Sequence, residues 1–363
     1  MAENTKKAGI YFHWPYCKSK CPYCDFYKEI AKNIPQEEIV DSYIADLDFY
    51  HSFIGDEKIV SVFFGGGTPS LIRPELIEKL LSHIAKKFSI AKNPEISLEA
   101  NPNTDRPNLF ADLKNAGINR LSLGVQSFDD DELRFLGRTH TAAQAKQALD
   151  EVLSVFDNHS ADLMYALPHQ TAEKWRSELE YAAQIGLKHI SLYQLTIEDG
   201  TVFQKKGIAP MNDDDAARLY LYTENFLRNF GYEKYEVSNY AKKGFESKHN
   251  LLYWQGDDYI GIGKSAHGRI GLRATEHHRQ IYELTPFERA EELLIMGIRL
   301  TQGIDKQKFF QICGIKFDDF INRDFWEQAA KENLLIDDKE FLRATPQGFL
   351  ILNYLTEHLC PNR

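Results

Sequence analysis

Short apolar runs alternate with amphipathic stretches from residue 8 to about residue 240. The runs at 8–14, 59–64, 95–100, 120–125, 161–167 and 189–195 have the length of buried strands and are bounded by turn residues. Between them, apolar residues recur at three- and four-residue spacing. The first such stretch begins near Pro35, which suits a first helical turn, and carries Ile39, Val40, Tyr43, Ile44 and Leu47. Others lie at 74–88, 109–116, 141–155 and 172–185, with a longer one at 213–230. Strands separated by helices imply right-handed crossovers and a parallel sheet. Six strands are too few to close an eight-fold barrel. The expected fold is therefore α/β, an open, curved (β/α)6 partial barrel, with 232–237 as a short extra strand.

Beyond about residue 280 the rhythm changes. Helical patterns at 286–300, 306–312 and 324–332 precede two short runs, 334–336 and 341–344, that read as a small wing. A terminal helix at 347–358 follows, and the order resembles a winged helix. The chain is thus expected to divide into a partial barrel (1–240), a connecting segment (241–279) and a mainly helical C-terminal domain (280–363). Winged helices often bind DNA, but residues 280–363 carry 10 Lys/Arg against 14 Asp/Glu, and the net charge of the chain is −10. Both argue against a nucleic-acid partner, which would need phosphate-neutralising cations in excess. No apolar run approaches membrane-spanning length, and residues 1–7 are polar with no signal-like core. Cys313 and Cys360 are far apart and read as ordinary thiols, so no disulfide framework is expected. The resulting expectation is a soluble protein in the reducing cytoplasm.

The other three cysteines change the picture. Cys17-Lys-Ser-Lys-Cys21-Pro-Tyr-Cys24 has the spacing C-x3-C-x2-C in a short loop. Thiolates this close can converge on one inorganic centre. In a four-iron cluster, three cysteines leave one iron open to a small molecule. Structural zinc with His13 as a fourth ligand, or simply free thiols, are the alternatives. The spacing is also the signature of the radical S-adenosylmethionine (SAM) superfamily, which this loop resembles. In that family the open iron is chelated by the amino and carboxylate groups of SAM's methionine.

Further polar groups stand at the C-terminal ends of the expected strands, where parallel α/β folds place their working residues. They are Gly65-Gly66-Gly67-Thr68, Glu99 and Asn101, Gln126 and Ser127, and Asp162, with Arg138 in the loop region after the fourth strand. A zwitterion joined to a ribose needs a carboxylate for its ammonium, a guanidinium for its carboxylate and an acceptor for its hydroxyls. Glu99, Arg138 and Asp162 would supply these in that order, with Gln126 as a second ribose contact.

Tyr11-Phe-His-Trp-Pro-Tyr-Cys17, Cys21-Pro-Tyr-Cys24-Asp-Phe26, Phe64-Gly-Gly-Gly-Thr-Pro-Ser70, Ser97-Leu-Glu-Ala-Asn-Pro102, Leu123-Gly-Val-Gln-Ser-Phe128 and Asp162-Leu-Met-Tyr-Ala-Leu-Pro168 together resemble the oxygen-independent coproporphyrinogen III oxidase group of radical SAM proteins. That resemblance implies a [4Fe–4S] cluster on Cys17, Cys21 and Cys24, and SAM lined by Tyr11, Tyr23, Gly66, Gly67, Thr68, Glu99, Gln126, Arg138 and Asp162. The oxidases proper extend the cysteine motif to C-x3-C-x2-C-x-C and have a longer N-terminal lead, whereas here Phe26 stands at the fourth cysteine. His249-Asn-Leu-Leu-Tyr253-Trp254 and Gly261-Ile-Gly-Lys-Ser-Ala-His267-Gly resemble the HemW-type haem-chaperone branch, whose members bind haem through an HNxxYW-type motif and lack the decarboxylase activity. By that branch, His249, Tyr253 and Trp254 would bind haem, with His267 as a second candidate ligand. The implied partners are haem and apo-haemoprotein acceptors; a homodimer and peripheral membrane contact are left open by the sequence. The alternatives are a decarboxylating oxidase and an RNA-modifying radical SAM enzyme.

Overall fold

The structure is a computed structural model that describes residues 6–102, 106–276 and 279–361. The start of the polar stretch expected at 1–7 lies outside the described residues. Six parallel strands form where the apolar runs lie: β1 (Lys7–Trp14), β2 (Lys58–Gly66), β3 (Ile90–Ala100), β4 (Arg120–Gln126), β5 (Asn158–Tyr165) and β6 (His189–Gln194). Their bounds shift where the backbone dictates it. β5 ends at Tyr165 because Ala166 turns to a left-handed φ of 56°. The later strands are β7 (Glu233–Lys234), β8 (Asn239–Ala241), β9 (Asp258–Ile262), β10 (Gly268–Ile270), β11 (Arg273–Glu276) and β12 (Gln280–Glu283).

The sheet order is β12-β11-β10-β9-β1-β2-β3-β4-β5-β6-β8-β7. β9 pairs parallel to β1, so a seventh parallel strand flanks the expected six. Within the stretch expected as a connecting segment (241–279), 258–262, 268–270 and 273–276 are strands of the barrel's own sheet, and 248–254 is a helix packed against it.

The helices between strands are α1 (Gln36–Ile54), α2 (Pro74–Lys87), α3 (Leu109–Asn115), α4 (Asp130–Phe135), α5 (Ala142–Val155), α6 (Ala172–Gln184), α7 (Val202–Lys205) and α8 (Asp213–Arg228). Thr141 and Gln144 form a capping box that starts α5, which satisfies backbone donors left free at its N-terminus. The outward strand faces, among them Ile10, Phe12, Phe64, Leu98, Leu121, Leu163 and Ile190, are fully buried under these helices. The inward faces are polar. Ser61, Ser97, Ser122, Ser160 and Ser191 are all buried on them, one from each strand β2 to β6. Glu99 stands beside Ser122, Ser122 beside Ser160, and Asp162 beside Ser191 in register. The period-two alternation thus encodes two different faces, an oily shell and a polar lumen.

The helix α9 (Lys248–Trp254), begun by Ser247 as its cap, closes the lumen's lower end. The C-terminal domain follows as α10 (Pro286–Gly297), α11 (Lys306–Cys313), α12 (Phe317–Phe320), α13 (Arg323–Lys331), α14 (Pro346–Leu350) and α15 (Leu352–Leu359). A third strand joins the expected wing, in the order β13 (Ile304–Asp305), β15 (Phe341–Ala344), β14 (Leu335–Asp337). The single terminal helix expected is split at Ile351, which leaves helical geometry at φ −121°, ψ 31°. This lets α15 turn Leu352, Leu355 and Leu359 into the domain's separate core. No helix among the described residues is long and apolar enough to cross a membrane.

Candidate functional site

β1 delivers the cysteine loop, and close backbone packing holds it. Gly67 donates its N–H to the Trp14 carbonyl at 2.6 Å and Thr68 donates to that of Tyr16 at 2.9 Å. A Cβ on Gly67 would lie 2.7 Å from the Tyr16 oxygen and 2.9 Å from Pro15 and Trp14 backbone atoms, so only glycine fits there. The other side of the loop is clasped similarly: Gly137, at φ 66°, packs where a Cβ would meet Pro22 at 2.5 Å. The Thr68 hydroxyl lies 3.5 Å from Cys17 Sγ, and Arg138 Nη1 lies 3.4 Å from Cys21 Sγ. Burial pushes the Cys17 thiol up.

These cysteines rim an outer chamber of about 700 Å3. Tyr23, Gly66, Gly67, Thr68, Glu99, Gln126, Arg138 and Asp162 line it with them, so all but one of the residues expected around SAM come together. Glu99 accepts from the Gly66 N–H at 3.2 Å, and Asp162 from Ser122 Oγ at 2.9 Å. Burial first, and then the neighbouring Asp162, push the Glu99 carboxyl up to about 8. Burial also raises Asp162. Arg138 donates to Asn101 Oδ1 at 2.5 Å and to the Gly124 carbonyl at 3.0 Å. Gln126 holds a left-handed φ of 71°, a strained setting for a non-glycine residue that aims a strand end into the chamber. Met164, Tyr193 and Gln194 also line the chamber and were missed from sequence. Tyr193-Gln194 at the end of β6 follows the same polar-at-the-strand-end signal as its neighbours.

Tyr11 lies elsewhere. It lines an inner chamber of about 540 Å3, which shares Phe26, Glu99, Asp162 and Tyr193 with the outer one. Four histidines face the inner chamber: His13, His189, His249 and His267. His13 bonds the Tyr11 hydroxyl at 3.0 Å and the Tyr27 carbonyl at 3.2 Å, which leaves no nitrogen for a metal. His189 bonds Ser160 at 2.7 Å and Tyr235 at 2.8 Å.

His249, expected as a haem ligand, is 1% exposed. Its Nδ1 meets Ser61 Oγ at 2.7 Å and its Nε2 meets the Tyr253 hydroxyl at 2.6 Å. Its ring stacks on Phe63 at 5.0 Å, and burial pulls its pKa down to about 3. Trp254 faces away, toward Leu293 and Ile312 of the C-terminal domain, with Arg299 over its ring at 6.0 Å. His249, Tyr253 and Trp254 therefore do not form one flat binding face. His267, in the turn after β9, keeps 58% of its side chain exposed, and only its Nδ1 approaches a partner, Glu276 at 3.8 Å. Among the described residues it is the one imidazole of the four with an unengaged nitrogen.

The donor set decides between the inorganic centres. Among the described residues no three His, Cys, Asp or Glu side chains converge as one metal ion requires. The cysteines instead stand around one chamber, as ligands to separate irons of a cluster would. Beside them, two half-buried carboxyls with no ion-paired cation and a half-buried guanidinium, all lining the chamber, match the ammonium and carboxylate of an amino acid. The residues present thus fit a cluster and SAM.

Residues 11–182 match the Radical SAM superfamily, and residues 284–351 match the HemN C-terminal domain. In fold the chain is similar to the coproporphyrinogen III oxidase HemN from Escherichia coli, with TM-score 0.82 and 20% identity over 98% of this chain and 90% of that one. The chain is thus a radical SAM protein, a class that implies a [4Fe–4S] cluster and SAM. It is 37% identical to the heme chaperone HemW of Buchnera aphidicola, and 37% identical to that of Haemophilus influenzae, over 96% of this chain and 97% of each relative. The chain belongs to the HemW family.

Proposed function

We propose that this protein is a haem chaperone of the radical SAM type, which binds haem and delivers it to apo-haemoproteins in a reducing cytoplasm. The observation that carries this reading is the near full-length likeness to proteins named as haem chaperones. In this reading Cys17, Cys21 and Cys24 hold the cluster. Glu99 takes SAM's ammonium, Arg138 its carboxylate, and Asp162 and Gln126 its ribose. Bound together, the cluster and SAM would supply one-electron chemistry. The chain's own work there is positional: the glycine-packed loop fixes the thiolates, and the Glu99–Asp162 pair releases a proton when a cation arrives.

Haem is the cargo. The inner chamber suits a flat macrocycle, with Tyr11, Phe63, Tyr253 and Tyr259 among its walls. Its iron ligand in this reading is His267, which lines the chamber with its Nε2 unengaged and its Nδ1 3.8 Å from Glu276. The test is to reconstitute the cluster anaerobically and offer haem and coproporphyrinogen in separate assays. Stable haem binding with transfer to an apo-haemoprotein, and no decarboxylation, is expected. Decarboxylation with SAM consumption would make the protein an oxidase instead.

A further inference from the structure

Arg120 opens β4 and turns its side chain into the lumen, where it lines the inner chamber. It is 2% exposed. Its Nε is fully shielded and has no hydrogen-bond partner. Among the described residues the guanidinium makes neither a hydrogen bond nor an ion pair. The other deeply placed arginines differ. Arg138 bonds Asn101 and the Gly124 carbonyl, while Arg289 pairs with Glu292 at 2.9 Å and donates to the Gly256 carbonyl at 2.8 Å.

A buried cation without a counter-ion is costly and is ordinarily paired. Two buried carboxyls, Glu95 and Glu236, act with Arg120 on the Tyr235 hydroxyl, yet among the described residues neither is ion-paired to it. Glu99 and Asp162 lie beyond ion-pair reach, and burial drives both toward their neutral forms. His189 and His249 are held neutral by burial, so they neither repel nor neutralise it. What remains is a guanidinium facing a cavity whose other walls include the rings of Tyr11, Phe63, Tyr253 and Tyr259. A guanidinium is a two-pronged donor matched to a carboxylate, and aromatic walls accept a planar ring system.

We propose that Arg120 is the carboxylate anchor of the inner chamber and seats an acidic side arm of a planar tetrapyrrole whose ring lies among the tyrosine and phenylalanine walls. The proposal rests on the haem reading and deepens it, by assigning the arm a partner independent of the iron. It therefore applies equally to the metal-free macrocycle.

The probes are iron-free protoporphyrin IX, which carries two carboxylates, and its dimethyl ester, each titrated into the cluster-reconstituted full chain by absorbance and fluorescence. The wild type should bind the diacid at least about tenfold more tightly than the ester, the effect of one charge-assisted contact. Arg120→Met should remove that preference by weakening the diacid alone, and Arg120→Lys should restore part of it, with the cluster spectrum as the check on folding. Equal binding of diacid and ester by the wild type overturns the anchor while leaving the haem reading standing, and needs no variant. A variant that keeps the diacid preference overturns it too, as does one that loses SAM instead. A wild type that binds neither haem nor protoporphyrin overturns the haem reading, and the anchor with it.

Discussion

Glu99 is the residue whose protonation decides how the outer chamber receives a cation. Its carboxyl is pushed up to about 8, so near neutral pH it is mostly protonated. An ammonium group must displace that proton. SAM affinity should therefore rise as pH increases from about 6.5 to about 8, with up to one proton released per molecule bound. Calorimetry in buffers of differing ionisation enthalpy reads the release, and Glu99→Gln should abolish it. The histidines allow a second test. His249→Ala leaves the Ser61 and Tyr253 hydroxyls unpaired in the interior and should cost about 2–4 kcal/mol of stability in denaturant titration. It should leave the Soret band of bound haem in place, whereas His267→Ala should shift or remove that band. The opposite pattern would return the iron to His249. Reading His249, Tyr253 and Trp254 as one linear motif misplaced the tryptophan. On a helix, residues four apart share a face, but the fifth turns away.

At the level of elements, the six expected parallel strands were legible because each is short, apolar on its outer face and separated from the next by an amphipathic helix. Polar strand ends also located the outer chamber. β9 was not legible. Asp258–Ile262 is five residues long, and it finds its parallel partner β1 across more than two hundred residues, a pairing that local pattern cannot announce. Arg120 was passed over as the mere start of a strand. Yet it alternates with Leu121, Leu123 and Val125 in the same way as Ser122, which already put it on the polar face. The triple glycine does more than line the outer chamber. Gly67 is where the cysteine loop itself approaches. Gly67→Ala should displace that loop from β2 and sharply lower iron and sulfide per chain after reconstitution. Far-UV circular dichroism should be unchanged, since the barrel strands do not depend on that contact. Full cluster loading in this variant would mean the loop tolerates the shift.

For the molecule as a whole, carboxyls buried in the chamber wall, under α6 and beside β8 set the pH dependence of stability. Glu99 and Glu178 are pushed up to about 8 and Glu236 to about 7, each chiefly by burial, from an ordinary 4.5. A carboxyl raised on folding stabilises the fold fully below its unfolded value, and that contribution is lost as pH rises through its folded value. The ligand-free chain should accordingly melt at a lower temperature at about pH 8.5 than at about pH 6, and bound SAM should narrow the difference. The helix α9 belongs to both halves of this molecule. His249 and Tyr253 lie against the lumen, Trp254 lies against the C-terminal domain, and just beyond the helix Gly256 sits so close to α10 that a Cβ would lie 2.1 Å from Leu293 Cδ2. Lys308 holds Asp257 at 2.6 Å from the same domain. The floor of the inner chamber is therefore mortared into the neighbouring building. A chain cut back to its barrel would be a vessel with a loose base, and the shortest version of this protein worth making includes both.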